Sequence, residues 1–199
     1  MTPNRNNPLA GSAPRTMRAV VLCLAALFAV LPVGAARRDH RRHWVRDDNS
    51  EKYIPVEAYK KMTVFERAAY DKSLKLHREG QFRVAADQFH KFVLQFEDSA
   101  GMPYAMLMEA RCLHKDRKRV TSIKKYTEIL DYFPESPSIA APALYFRAVA
   151  KHENGDKLQG FRDYRLLVEN PAYVKHELGI PAKLDLSDYY YENEKQARA

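Results

Sequence analysis

Three histidines, His77, His114 and His152, recur at steps of 37 and 38 residues, each four positions after a small side chain (Ser73, Ala110, Ala148). Imidazole changes charge near neutral pH, so such a row reads as a surface that binds an acidic or C-terminal peptide more tightly as pH falls. A plainer reading stands beside it: a histidine in the last turn of a helix is favoured by the dipole and needs no ligand. The spacing argues against one shared metal, because neighbouring helix axes lie roughly 8–10 Å apart. Cys112 sits within an apolar helical pattern and reads as a small buried side chain, not a nucleophile. No glycine-rich phosphate loop, serine nucleophile elbow or HExxH occurs. The expectation is a protein without catalytic activity, cofactor or metal.

A second group of charged residues lies at 37–46, RRDHRRHWVR, with Arg37, Arg38, Arg41, Arg42, Arg46 and Trp44. One reading is a solvated leader. The other is an electrostatic arm on an anionic membrane or cell-wall polymer, with the indole at the interface. His40 and His43 make a poor metal site in such a segment. Ahead of it, Ala19 to Leu31 is a run of thirteen residues with no charge, preceded by Arg15 and Arg18 and followed by Pro32-Val33-Gly34-Ala35-Ala36. That is the form of a secretory signal peptide cut after Ala35 or Ala36. A retained membrane anchor is disfavoured, since spanning a bilayer takes about 20 apolar residues. Lipidation at Cys23 is disfavoured too, because the apolar run continues past it. After cleavage Cys112 stands alone, so stability has to come from helix packing.

The chain has 199 residues and a formal charge of +8; removing the first 35, which carry three arginines and no acid, leaves +5. Such an excess does not by itself argue for nucleic acid.

These groups are set on a repeated frame. Seven residues after Ser73, Ala110 and Ala148 come Gly80, Arg117 and Gly155; five further on come Ala85, Ser122 and Gly160. Four later stand the rings Phe89, Tyr126 and Tyr164, then apolar Phe92, Ile129 and Leu167. A constant period of this size marks a stacked-repeat architecture. The small side chains let two helices approach, and the rings fill the space between one pair and the next.

Thr63-Val64-Phe65-Glu66 has the form of a capping box and starts a helix running to about Arg78. Gly80 turns the chain, and Phe82 to Phe96 returns. A second pair is expected over Pro103–Lys115 and Lys118–Tyr132, and a third from Ser136-Pro137, with serine as cap, to Glu153, then Asp156 to Glu169. Asn170-Pro171 ends the pattern. Ala172 to Leu178 reads as a short helix stopped by Gly179 and Pro181, and Leu184 to Lys195 as a last helix covering the end of the stack with a polar outer face. A tyrosine patch at Tyr189, Tyr190 and Tyr191 is the alternative for that segment.

The column small–turn–small–aromatic–apolar resembles the tetratricopeptide repeat, lengthened by about three residues over its usual 34. YTEILDYFPESPSIAAPALYFRA, with FVLQFEDS one repeat earlier, is similar to the envelope tetratricopeptide proteins of bacteria, such as the outer-membrane assembly lipoprotein BamD and the tol-pal system protein. The resemblance covers residues 63–171. It departs from the former in lacking an acylated cysteine and having three repeats where that family has about five, and from the latter in lacking an N-terminal coiled coil. It implies an all-α, right-handed α-α solenoid of about three helix pairs with a C-terminal capping helix. It also implies a concave groove lined by Arg67, Tyr70, Leu74, His77 and Arg78, then Tyr104, Leu107, Arg111, His114 and Lys115, then Tyr145, Val149 and His152.

The expected organisation is a signal peptide (1–35), a basic, largely flexible arm (36–62), the repeats (63–171) and a cap (172–199). The function it supports is an exported, periplasmic or outer-membrane-facing scaffold that holds other envelope proteins. The alternative is a surface-adhering structural protein attached through its arm. Salt separates them, because arm-driven contacts weaken with ionic strength.

Overall fold

A computed structural model describes residues 54–197, with side chains described as far as residue 191. The signal segment, Cys23 and the arm at 37–46 lie outside the described residues. Every regular element among the described residues is an α-helix. In order these are α1 (Val56–Lys61), α2 (Val64–Arg78), α3 (Phe82–Gln95), α4 (Met102–Lys115), α5 (Arg119–Tyr132), α6 (Pro137–Glu153), α7 (Lys157–Glu169) and α8 (Gly179–Ala197). From α2 onward each helix packs on the next, and α4 also touches α6. Packing in sequence order is consistent with an α-helical solenoid.

Three connections share one geometry. The residue that turns the chain after α2, α4 and α6 is left-handed: Gly80 at φ 77°, Arg117 at 62° and Gly155 at 95°. Its amide donates to the carbonyl of His77, His114 or His152, and the next amide donates to Leu76, Leu113 or Lys151. This double closure satisfies carbonyls that a helix end otherwise leaves orphaned. The following residues, Gln81, Lys118 and Asp156, have φ of −81°, −81° and −90° with ψ of 57°, 60° and 65°, and open the next helix at once. The links after α3 and α5 also coincide, with Phe96 at φ −130° and Phe133 at −129°. In both, the serine amide three residues later donates back to the phenylalanine carbonyl. After α7 the geometry changes, Asn170 adopting φ −73° and ψ 120°.

The expected ends of the six repeat helices agree with the observed ones to within about a residue, whereas the last helix, expected from Leu184, begins at Gly179; the capping box forms, the Thr63 hydroxyl accepting from the Glu66 amide and the Glu66 carboxylate from the Thr63 amide. The small residues of both columns, and the rings Phe89, Tyr126 and Tyr164, are buried as expected.

Four local expectations differ. Ser136 precedes α6 without capping it through its side chain; Pro137, already fixed at helical φ and without an amide, starts the helix unaided. Residues 172–178 form turns, not a helix, held by the Tyr173 hydroxyl donating to the Pro134 carbonyl. Gly179 and Pro181 do not stop a helix; they lie in the first turn of α8, where a proline lacks nothing. The packed region also begins before Thr63: α1 lies within the segment read as arm, and Ile54 and Met62 on either side of it are 3% and 2% exposed in a core with Tyr70, Phe89 and Phe92.

α8 buries Ala182 and Leu186 against the α6–α7 core, and Tyr189 stacks on Phe161 with ring centroids 3.7 Å apart. Its outer side exposes Ile180, Leu184, Tyr190 and Tyr191, so the end of the stack is less polar than a cap was expected to be.

Candidate partner-binding surface

The three histidine side chains occupy one structural position and have three different surroundings. His77 is buried, its Nδ1 3.3 Å from the Cys112 Sγ on α4 and its ring edge-on to Phe82. His114 places Nε2 3.3 Å from the Glu153 carboxylate on α6, which also accepts from the Arg119 Nε at 3.1 Å. Burial lowers the His114 pKa below 6.5, against an opposing pull from Glu153. Burial alone would raise Glu153, but Arg119 and His114 outweigh it and hold the carboxyl below 4.5. His152 meets Phe161 edge-on at 4.2 Å and Tyr164 at 5.6 Å. The row is therefore not one uniform surface. Each ring serves the contact between its own helix and a neighbour.

The groove residues divide in the same way. Tyr70, Leu74, His77, Leu107, Arg111 and Tyr145 are all buried, with Tyr70 fully enclosed. Tyr70 meets Phe89 and Phe92 edge-on at 5.5 and 5.8 Å, and the Arg111 guanidinium lies 4.3 Å over the Phe146 ring. These six hold helices together and do not face solvent, which corrects their reading as partner contacts. The physical reason is that the returning helix of each pair covers them, Phe89 and Phe92 of α3 closing over Tyr70, and Tyr164 of α7 over Tyr145, while Phe146 of α6 covers Arg111. Arg67, Tyr104, His114, Val149 and His152 are half-buried, and Arg78 and Lys115 are exposed. Tyr104 reaches the Ser138 hydroxyl at 3.3 Å, and the Arg67 guanidinium lies over Tyr59.

Two ionic clusters were missed. Glu109 on α4, buried, takes His90 of α3 at 3.2 Å and Lys125 of α5 at 3.6 Å. Burial raises the Glu109 pKa above 4.5, with Lys125 and His90 opposing. On α7, buried Asp163 receives Arg147 Nε and Nη2 at 2.9 and 2.8 Å and the Lys151 Nζ at 2.8 Å, while Arg147 Nη1 also donates to Thr127. The signal was present in the columns: Glu109 and Arg147 each precede the small residue of the first helix, and Lys125 and Asp163 each precede the ring of the second. The two pairs have opposite polarity.

No helix among the described residues is long and apolar enough to cross a membrane, and no group of three or more His, Cys, Asp or Glu side chains among them is placed to hold a metal ion. Comparison of the chain with profiles of protein families, with curated proteins and with solved structures gives no match.

Proposed function

We propose that the chain is a non-catalytic protein-interaction scaffold of the bacterial cell envelope, built as a right-handed solenoid of three tetratricopeptide-like helix pairs with α8 as its terminal helix. The observation that supports this reading is the recurrence of one turn geometry at Gly80, Arg117 and Gly155 and one link geometry at Phe96 and Phe133. Stacked helix pairs that contact only their neighbours generate a long continuous surface in proportion to their core, which is the property that binding scaffolds of this kind use. Partners meet the side chains the packing leaves accessible, Arg67, Arg78, Tyr104, His114, Lys115, Val149 and His152 among them. The envelope placement rests on the apolar run at 19–31 with its small-residue exit.

The test is to express the full chain in a bacterial host, measure intact mass and fractionation, and cross-link in the envelope. A mass beginning at residue 36 or 37 in the envelope fraction, with a specific cross-linked protein, supports the scaffold. A full-length cytosolic product that cross-links to nothing ends it.

A further inference from the structure

α8 stands in register with the first helix of each pair. Its Ser187 continues the column Ser73, Ala110, Ala148 at a step of 39 residues. In that register Ala182 and Tyr189 match Ala105 and Cys112 of α4 and Ala143 and Ala150 of α6, positions at which a first helix meets the unit before it. Ala182 is buried against the α6–α7 core and Tyr189 stacks on Phe161 of α7, so the contacts agree with the register. The serines agree as well. The Ser73 hydroxyl donates to the Ala69 carbonyl and the Ser187 hydroxyl to the Lys183 carbonyl, four residues back in both.

One face of α8 stays open. In the three pairs the returning helix lies over that face of the first: Phe89 and Phe92 on Tyr70, Tyr164 on Tyr145, Phe82 on His77 and Phe161 on His152. Leu107 likewise shares a core with Tyr126 and Ile129. The same columns on α8 hold Leu184, Ser187 and Tyr191, with Ile180 one turn ahead. Tyr70, Leu107 and Tyr145 are 0%, 4% and 7% exposed, whereas Leu184 is 51%, Ile180 61% and Tyr191 56%. No helix follows α8 among the described residues.

We propose that this face receives a helix of a partner protein that carries the returning-helix pattern: a small residue, a ring four later and an aliphatic residue three beyond. The chain shows three times what covers these columns, which argues the occupant's shape. Charge argues its sequence further. Buried Asp163, just before the ring of α7, takes Arg147 and Lys151 of α6. In the first-helix register those two positions and that of Lys183 form one stripe, spaced by three and four residues. Lys183 is exposed and makes no ion pair with a described residue, so it suits an acid just before the occupant's ring.

A second copy is the rival occupant, because α8 itself carries a small residue and a ring four later, Ser187 and Tyr191. In the third pair Gly160 lies between Ala148 and His152, about two residues past the small one. Two α8 helices in that register would cross at residue 188 and bring two exposed Asp188 carboxylates together, which repel. The residue before the ring would be Tyr190, which offers Lys183 no charge. The proposal rests on the scaffold reading and assigns it a binding face.

The experiment uses the full chain and a fluorescein-labelled peptide copying residues 157–169, which holds Gly160, Asp163, Tyr164 and Leu167. Fluorescence polarisation gives affinity, sedimentation gives the state of association, and thermal melting is recorded for every variant. Saturable binding is expected. Leu184→Asp, at an exposed site, should leave the melting temperature near wild type and weaken binding about five-fold or more, as should Tyr164→Ala in the peptide. Lys183→Glu should weaken it about two- to five-fold, and a peptide with Asp163→Lys should recover that loss. The proposal is overturned if the peptide does not bind. It is overturned if binding is indifferent to Leu184→Asp, since the peptide then exchanges with the chain's own α7. It is overturned equally if the chain dimerises through a contact that Leu184→Asp abolishes, since the face then serves a second copy. An envelope cross-link that survives Leu184→Asp removes this face and leaves the scaffold reading intact.

Discussion

Gly160→Ala should destabilise the protein, although helix propensity predicts the reverse. Glycine inside a helix costs about 1 kcal/mol relative to alanine, and the equivalent positions in α3 and α5 hold Ala85 and Ser122. At Gly160, however, a Cβ would stand 2.1 Å from the His152 Cδ2, 2.7 Å from its Nε2 and 2.9 Å from the Ala148 carbonyl oxygen. The imidazole has little room to yield, because Phe161 is 4.2 Å from it and Tyr164 5.6 Å. Overpacking of this kind costs about 1–3 kcal/mol, and a ring pushed off its rotamer adds about 1 kcal/mol. After the propensity gain the net loss is about 1–3 kcal/mol, or roughly 2–12 °C in Tm for a protein of this size. Urea and thermal unfolding of Gly160→Ala, His152→Ala and the double variant form the cycle. In the His152→Ala background the ring contact is gone and the 2.9 Å approach to the Ala148 carbonyl oxygen remains, so the same alanine should cost less than in wild type, a coupling of about 1–2 kcal/mol. A higher Tm for Gly160→Ala in wild type, or the same effect in both backgrounds, would refute the argument that the ring dictates the glycine.

Ile54→Ala should cost about 2–4 kcal/mol, since it empties a buried site in the core under α1; urea unfolding of the full chain checks it, and a negligible change would detach α1 from the fold. Asp163→Ala should cost about 3–5 kcal/mol by stranding Arg147 and Lys151, and adding Arg147→Met and Lys151→Met should recover most of that loss. Stability should fall as pH drops below 6.5, because His114 and His176, both lowered from 6.5 by burial, take up protons more readily when unfolded. The loss begins at the unfolded pKa and is complete once pH has passed below the folded values. Unfolding at pH 7.5 and 5.5 should show a flatter profile for His114→Gln with His176→Gln, and an unchanged slope would contradict the assignment.

The residues that were easiest to read are those whose physical requirement is local. Gly80, Gly155 and the Thr63–Glu66 box specify a turn or a cap by residue type alone, and the helix ends followed from them. The columns of small residues and rings were legible because close packing admits few alternatives at each place. The partner surface was not, since whether Tyr70 or Tyr145 faces solvent depends on how closely the returning helix, with Phe89 and Phe92 or Tyr164, lies against it. No single position encodes that distance. His77, His114 and His152 make the same point more sharply: equal spacing gave them equal backbone roles, while neighbours at 112, 153 and 161 gave their rings different ones. α1 was missed because its six residues carry too short a pattern to reveal an apolar face.

The opposite polarity of Glu109–Lys125 and Arg147–Asp163 bears on how the chain finds its own order. While it folds, helices of nearly the same length and shape compete for the same companions. Were α4 to take α7 as its hairpin mate, Glu109 would face Asp163; were α6 to take α5 in α4's place, Arg147 would face Lys125. Each wrong hairpin meets repulsion in a place that closes over, where charges repel most strongly. The reversed pairs thus act as an address label within the chain. An array made by duplicating one helix pair would keep the shape and lose the addresses.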